Sequence, residues 1–127
     1  MNTPMPTVLI CDDALFMRTM LRGIVRAGGY EVAGEAANGR LAVELYERLR
    51  PDLVLMDMVM PEVGGLDAVR QIRAIDPEAR VAMCSAMGQQ ELVYEALEAG
   101  ARAFVGKPFT PEGVLEALAE LTTMVPE

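Results

Sequence analysis

Short apolar runs and longer segments of helical period alternate along the whole of this chain. Thr7-Val8-Leu9-Ile10-Cys11, Leu53-Val54-Leu55-Met56, Val81-Ala82-Met83-Cys84 and Ala103-Phe104-Val105-Gly106 are short and apolar throughout, as strands covered on both faces are. Glu31 to Ala36 is a weaker strand of the same kind. Between them lie helical stripes. The first runs from about Ala14 to Ala27, with Phe16, Met20, Leu21, Ile24 and Val25 on one face and Gly28-Gly29 as its stop. Asn38-Gly39 caps the second, which turns Leu41, Leu45, Tyr46 and Leu49 inward and ends at Pro51. After a loop from Met58 to Gly65, the third carries Leu66, Val69, Ile72 and Ile75 inward and closes at Asp76-Pro77. Gln89 to Ala99 forms the fourth, stopped by Gly100. The fifth follows the N-cap Thr110 and Pro111, with Val114, Leu115, Leu118 and Leu121 inward.

Five strands and five helices in strict alternation predict an α/β fold. Right-handed crossovers then favour a doubly wound parallel sheet with helices on both faces. Residues 1–6, with two prolines, read as a flexible lead, 7–124 as a single domain and 125–127 as a tail.

Composition narrows the function. At 127 residues and 52% hydrophobic, the chain has enough material for one core and too little for two. A net charge of −8 without a basic cluster argues against nucleic acid as a partner. No apolar run approaches the roughly 20 residues of a membrane span, and the N-terminus lacks a signal-peptide pattern, so a cytoplasmic location is expected. With no histidine, imidazole chemistry must come from a partner. Cys11 and Cys84 read as core residues. If a strand separates theirs, they lie about 10 Å apart, too far for a disulfide.

The chemistry sits where the strands end. Parallel strands of an open sheet gather their carboxyl ends along one edge, beside the crevice where ligands bind. The first strand ends on Asp12-Asp13, the third on Asp57, the fourth on Ser85 and the fifth on Lys107-Pro108. Any one of these aspartates could simply cap a helix; three together repel one another unless a cation lies among them. Oxygen ligands without His or Cys favour a hard ion such as Mg²⁺, which combines a few carboxylates with phosphate oxygens and water. A carboxylate can also attack phosphorus to give an acyl phosphate. Mg²⁺, the Ser85 hydroxyl and the Lys107 ammonium would then each meet one oxygen of the transferred group. The Lys107–Pro108 bond is expected to be cis, because the turn must aim Lys107 back into the crevice.

The set Asp12-Asp13, Asp57, Ser85 and Lys107-Pro108, with its spacing, resembles the receiver domains of two-component response regulators over roughly residues 7–124. Asp12 to Arg18 and Ser85 to Gln90 look most like the stand-alone chemotaxis (CheY-like) group. The resemblance implies a flavodoxin-like sheet of order 2-1-3-4-5. It implies Asp57 as phosphoacceptor, with Asp12, Asp13, Asp57 and the Val59 backbone carbonyl holding Mg²⁺. It further implies Lys107 contacting the phosphoryl group, and Ser85 and Phe104 as switch residues. A histidine kinase would be the donor, and a surface of the fourth helix, fifth strand and fifth helix the output. The flagellar motor switch is the expected target, a phosphatase a possible further partner, and a monomer the expected state. Such a protein is not an enzyme beyond its own phosphorylation and dephosphorylation.

Two departures bear on this reading. Gly64-Gly65 replaces a polar-then-Gly turn, a change expected to be harmless because Gly tolerates positive φ. Val59 and Met87 are apolar at positions that influence hydrolysis in the family, so slow self-dephosphorylation is expected. Other readings are a single-domain phosphorelay intermediate and an aspartate-nucleophile phosphatase of the haloacid-dehalogenase type, which would need an acid at position 59. A nucleotide- or flavin-binding module on the same sheet is a further class, but no Gly-rich loop follows the first strand.

Overall fold

The computed structural model describes residues 5–86 and 91–123. Its elements are β1 (Thr7–Cys11), α1 (Leu15–Ala27), β2 (Glu31–Ala36), α2 (Gly39–Leu49), β3 (Leu53–Asp57), α3 (Gly65–Ile75), β4 (Val81–Ser85), α4 (Leu92–Ala99), β5 (Ala103–Gly106) and α5 (Pro111–Thr123). All strand pairs are parallel, and the sheet order is β2-β1-β3-β4-β5, as the resemblance implied. Gln89 and Gln90, assigned to the fourth helix from sequence, lie outside the described residues, as does Met87.

Strand alternation divides the core in two. Leu9, Cys11, Val54, Met56, Val81 and Met83 face one side and pack with α2, α3 and α4. Val8, Ile10, Leu53, Leu55, Ala82, Cys84, Ala103 and Val105 face the other and pack with α1 and α5. Successive side chains of a strand point to opposite faces, so each apolar run fills both layers at once. Cys11 and Cys84 therefore belong to different layers, with β3 between their strands; both are free and buried. Burial pushes both thiols far up, so neither is a reactive thiolate.

Three details of the sequence reading change. Phe16 does not join the buried stripe of α1 but is 72% exposed. It lies about 140° around the helix from Leu21 at 3.6 residues per turn, and Met17, one turn before Leu21, packs on the core instead. Leu49 is 41% exposed, although its methyl lies over Gly34. Within the Met58–Gly65 loop the positive φ belongs to Glu62, at 67°, while Gly64 has φ −71°. Gly64-Gly65 is thus not a left-handed turn.

Helix ends follow local chemistry. The Asn38 side chain accepts from the Leu41 N–H at 2.8 Å, and Thr110 Oγ1 accepts from the Gly113 N–H at 3.0 Å. The last turn of α2 is tied to the end of α3 by the Tyr46 hydroxyl, which donates to Asp76 Oδ2 at 2.7 Å. That bond leads the interactions holding the Asp76 carboxyl below its ordinary value of 3.8, helped by the Glu78 N–H and by Arg50 and Arg73.

A Tyr46→Phe variant is expected to lose about 1 kcal/mol at pH 7, the scale of one hydrogen bond at a partly exposed acceptor. A carboxylate depressed by folding adds stability above its unfolded pKa and loses it as pH falls through its folded one. The deficit should therefore shrink below about pH 4. Urea titrations of both proteins across that range measure it.

Candidate functional site

The register of the sheet sets Asp12 beside Asp57. Cys11 pairs with Met56, so the next residue of each strand, an aspartate in both cases, stands side by side at the carboxyl edge. By the two-residue alternation Asp12 continues the series Val8, Ile10, and Asp57 the series Leu53, Leu55. Lys107 continues Ala103, Val105 from the other end of the sheet. Shared parity is why these three meet although 95 positions separate the first from the last.

Asp12 is 1% exposed and Asp57 5%. Lys107 Nζ lies 3.0 Å from Asp57 Oδ1, as a hydrogen bond, and 3.3 Å from Asp12 Oδ2. Asp12 Oδ1 accepts from the Ala14 N–H at 2.9 Å. Its Oδ2 is buried and has no well-directed hydrogen bond among the described residues. Burial pushes the Asp57 carboxyl up; the Lys107 hydrogen bond opposes this, Asp12 adds to it, and the Val59 backbone amide opposes it again. Burial alone would lower the Lys107 pKa. The bond to Asp57 and the charges of Asp57 and Asp12 outweigh it, and the net shift is upward. The ammonium is thus held charged.

Asp13 is exposed at the mouth, and one oxygen each of Asp12, Asp13 and Asp57 lie within 4.8 Å of one another. Three carboxylates against one ammonium leave two formal negative charges, which a divalent cation would balance. The oxygen-only donor set and the unsatisfied Asp12 Oδ2 fit a hard ion such as Mg²⁺.

The remaining sequence-predicted residues border this cluster. Ser85 ends β4, half-buried, and its carbonyl accepts from the Lys107 N–H at 2.9 Å. The Lys107–Pro108 peptide is cis. Phe104 is half-buried on β5 against the α2–α3–α4 layer, in register with Met83. Val59 is 60% exposed beside the acids.

Sequence reasoning missed two glycines and an ion cluster. A Cβ on Gly65 would overlap the Asp57 carbonyl oxygen, and one on Gly39 the Val63 carbonyl oxygen. Gly65 also donates its N–H to the Met58 carbonyl at 3.0 Å, so the start of α3 lies directly against the Asp57 backbone. The signal was present in the Gly64-Gly65 pair, but it means close approach and not a turn. Glu35 on β2 pairs with Arg18 and Arg22 of α1 at 3.2 and 2.8 Å. Charges so far apart in sequence give no local pattern.

Fold and site together define a doubly wound α/β protein with an acidic, lysine-bridged crevice at its carboxyl edge. Residues 8–119 match the family described as the response regulator receiver domain, and the chain belongs to that family. Chemotaxis protein CheY of Thermotoga maritima is 57% identical over 115 residues, which cover 91% of this chain and 96% of that protein. The protein of that name from Bacillus subtilis is 52% identical over 111 residues, covering 87% and 92%. A chain in the crystal structure of the CheX-CheY-BeF3-Mg²⁺ complex from Borrelia burgdorferi superimposes with a TM-score of 0.89 at 33% identity, covering 95% of this chain and 91% of that one.

A Gly65→Ala variant should lose about 1–3 kcal/mol, the usual scale of overpacking. Gly23→Ala, with open space around the new methyl, should gain about 0.5–1 kcal/mol inside α1. Chemical unfolding of the two variants beside the parent separates close packing from propensity.

Proposed function

We propose that this protein is a phosphorylation-controlled signalling switch of chemotaxis, with Asp57 as the residue that takes the phosphoryl group. The observation that carries the reading is the pair of buried strand-end carboxylates sharing one lysine. The likeness to two CheY proteins supports the chemotaxis assignment.

In the proposed reaction an Asp57 carboxylate oxygen attacks phosphorus of a phosphohistidine on a histidine kinase. A P–O bond forms, the P–N bond breaks, and the imidazole nitrogen left behind takes up a proton. Lys107 keeps Asp57 ionised before transfer and pairs with a phosphoryl oxygen after it. Asp12, Asp13, Asp57 and the Val59 carbonyl would hold Mg²⁺, which supplies charge neutralisation for the transferred group. Ser85 and Phe104 are the elements that respond, and α4, β5 and α5 form the surface a partner reads. In this proposal that partner is the flagellar motor switch, the setting is the cytoplasm, and a phosphatase resets the protein.

The protein acts on itself and not as a turnover enzyme. A haloacid-dehalogenase-type phosphatase needs a general acid two residues after its nucleophile, and an exposed valine, Val59, stands there. No described helix is long and apolar enough to cross a membrane.

Incubation with Mg²⁺ and acetyl phosphate should add one phosphoryl group by intact mass, and neither Asp57→Ala nor chelator-treated protein should gain one. An adduct surviving in Asp57→Ala would remove the proposal. Apolar Val59 and Met87 cannot orient a hydrolytic water, so the phosphoryl group should be long-lived. A Val59→Asn, Met87→Glu double variant should lose it about tenfold faster, the lower range of what a positioned polar group contributes to catalysis. Phosphate-release kinetics decide between that outcome and equal rates.

A further inference from the structure

Asp12 is pinned by its backbone as well as its side chain. Its N–H donates to the Ala36 carbonyl at 3.0 Å, which extends the β1–β2 ladder by one bond. Its carbonyl accepts from Arg18 Nη1 at 2.7 Å. That carbonyl shares a planar peptide with the Asp13 N–H, so fixing its direction fixes where the Asp13 Cα emerges. Arg18 is itself held, because its Nε donates to Glu35 Oε1 at 3.2 Å, while Arg22 Nε donates to Glu35 Oε2 at 2.8 Å. The Arg18 side chain is only 16% exposed, and Glu35 lies on β2, in register with Ile10 of β1. The guanidinium thus links a rigid strand to the turn that carries both Asp12 and Asp13.

We infer that Arg18, clamped by Glu35, is a positioning residue that sets the Asp12-Asp13 turn in the geometry that binds the divalent cation. This rests on the proposed function, since it assigns a role toward that cation. Two physical effects of Arg18 oppose each other. Its positive charge near three carboxylates weakens cation binding, whereas its hold on the Asp12 carbonyl strengthens it by keeping the carboxylates placed. Groups that orient metal ligands are typically worth 10–100-fold in affinity, and the charge effect is damped by salt. Positioning is therefore the larger effect.

Titration calorimetry with Mg²⁺ alone at 0.15 M salt tests this on the full chain. Arg18→Ala should weaken Mg²⁺ binding about tenfold. Arg18→Lys should weaken it in the same direction, because one ammonium keeps the charge but cannot serve the Asp12 carbonyl and the Glu35 carboxylate in the two directions of a guanidinium. Glu35→Gln, which leaves the arginine in place but unclamped, should show a smaller loss. The rise in Tm that Mg²⁺ produces should shrink in the same order, a readout that a purely structural role would not move. If Arg18→Ala binds Mg²⁺ as tightly as the parent or more tightly, the inference is overturned. An Arg18→Lys variant indistinguishable from the parent would show that charge alone matters and would overturn it too. The parent's Mg²⁺-dependent adduct on Asp57 is the separate check. Where it forms and the variants fail to weaken binding, only the role of Arg18 falls; where it does not form, the functional proposal falls and takes this inference with it.

Discussion

Two carboxylates buried side by side at the end of a sheet are held by one ammonium that arrives from the far strand. Placing Asp12 and Asp57 on adjacent strands in register costs free energy through desolvation and mutual repulsion. Lys107 offsets part of that cost at 3.0 and 3.3 Å, and it does so from beyond β5, two strands away from β3. The contact is thus a tertiary one in the full sense. It forms only when β1, β3, β4 and β5 are all in register, and it is incomplete, since Asp12 Oδ2 stays without a well-directed bond. A packed core would remove such an arrangement if stability were the only requirement.

The surrounding structure is arranged so that these charges can sit where they do. Both apolar layers are filled by alternate residues of the same strands, which leaves the strand ends to be set by register and not by side-chain packing. Gly65 lets the start of α3 press against the Asp57 backbone, and Gly39 lets α2 approach the Val63 carbonyl. Arg18 and Glu35 secure the β1 end from the opposite side. Each device acts on main chain. The main chain that carries the acids is therefore positioned by rigid peptide groups, while Asp12 Oδ2 is left without a well-directed hydrogen bond.

Much of this was legible in the sequence for a simple reason. Strand ends in a parallel sheet are fixed by where apolar runs stop, and four of the five runs here stop at a polar residue suited to phosphoryl chemistry. The all-parallel sheet and the meeting of Asp12, Asp13, Asp57 and Lys107 followed from that. What was not legible depends on angles and distances that periodicity does not resolve. Phe16 satisfied a loose helical stripe, yet sits too far around α1 from Leu21 to reach the core. Gly64-Gly65 suggested a left-handed turn, whereas Glu62 adopts the positive φ and Gly65 serves close packing. The Glu35 cluster joins β2 to α1 through charges 13 and 17 positions apart, which leave no periodic signal.

Under the proposed function, one ammonium must serve two states of the same carboxyl group. Burial pushes Asp57 toward its neutral form, which is a poor nucleophile, and Lys107 restrains that drift. Once Asp57 carries a phosphoryl group, its oxygens hold more negative charge than the carboxylate did, and the same ammonium is drawn to them. The main chain of Lys107 is anchored, because its N–H donates to the Ser85 carbonyl, which joins the ends of β4 and β5. Phe104, in register with Met83 across that strand pair, is only half-buried and so is not locked by packing on every side. Through the Lys107–Ser85 bond the proposed change in charge at Asp57 is coupled to the ends of both β4 and β5, the last strand being the one that carries the site's ammonium. An arrangement that satisfied every buried charge in the resting protein would remove the imbalance on which the proposed switch depends.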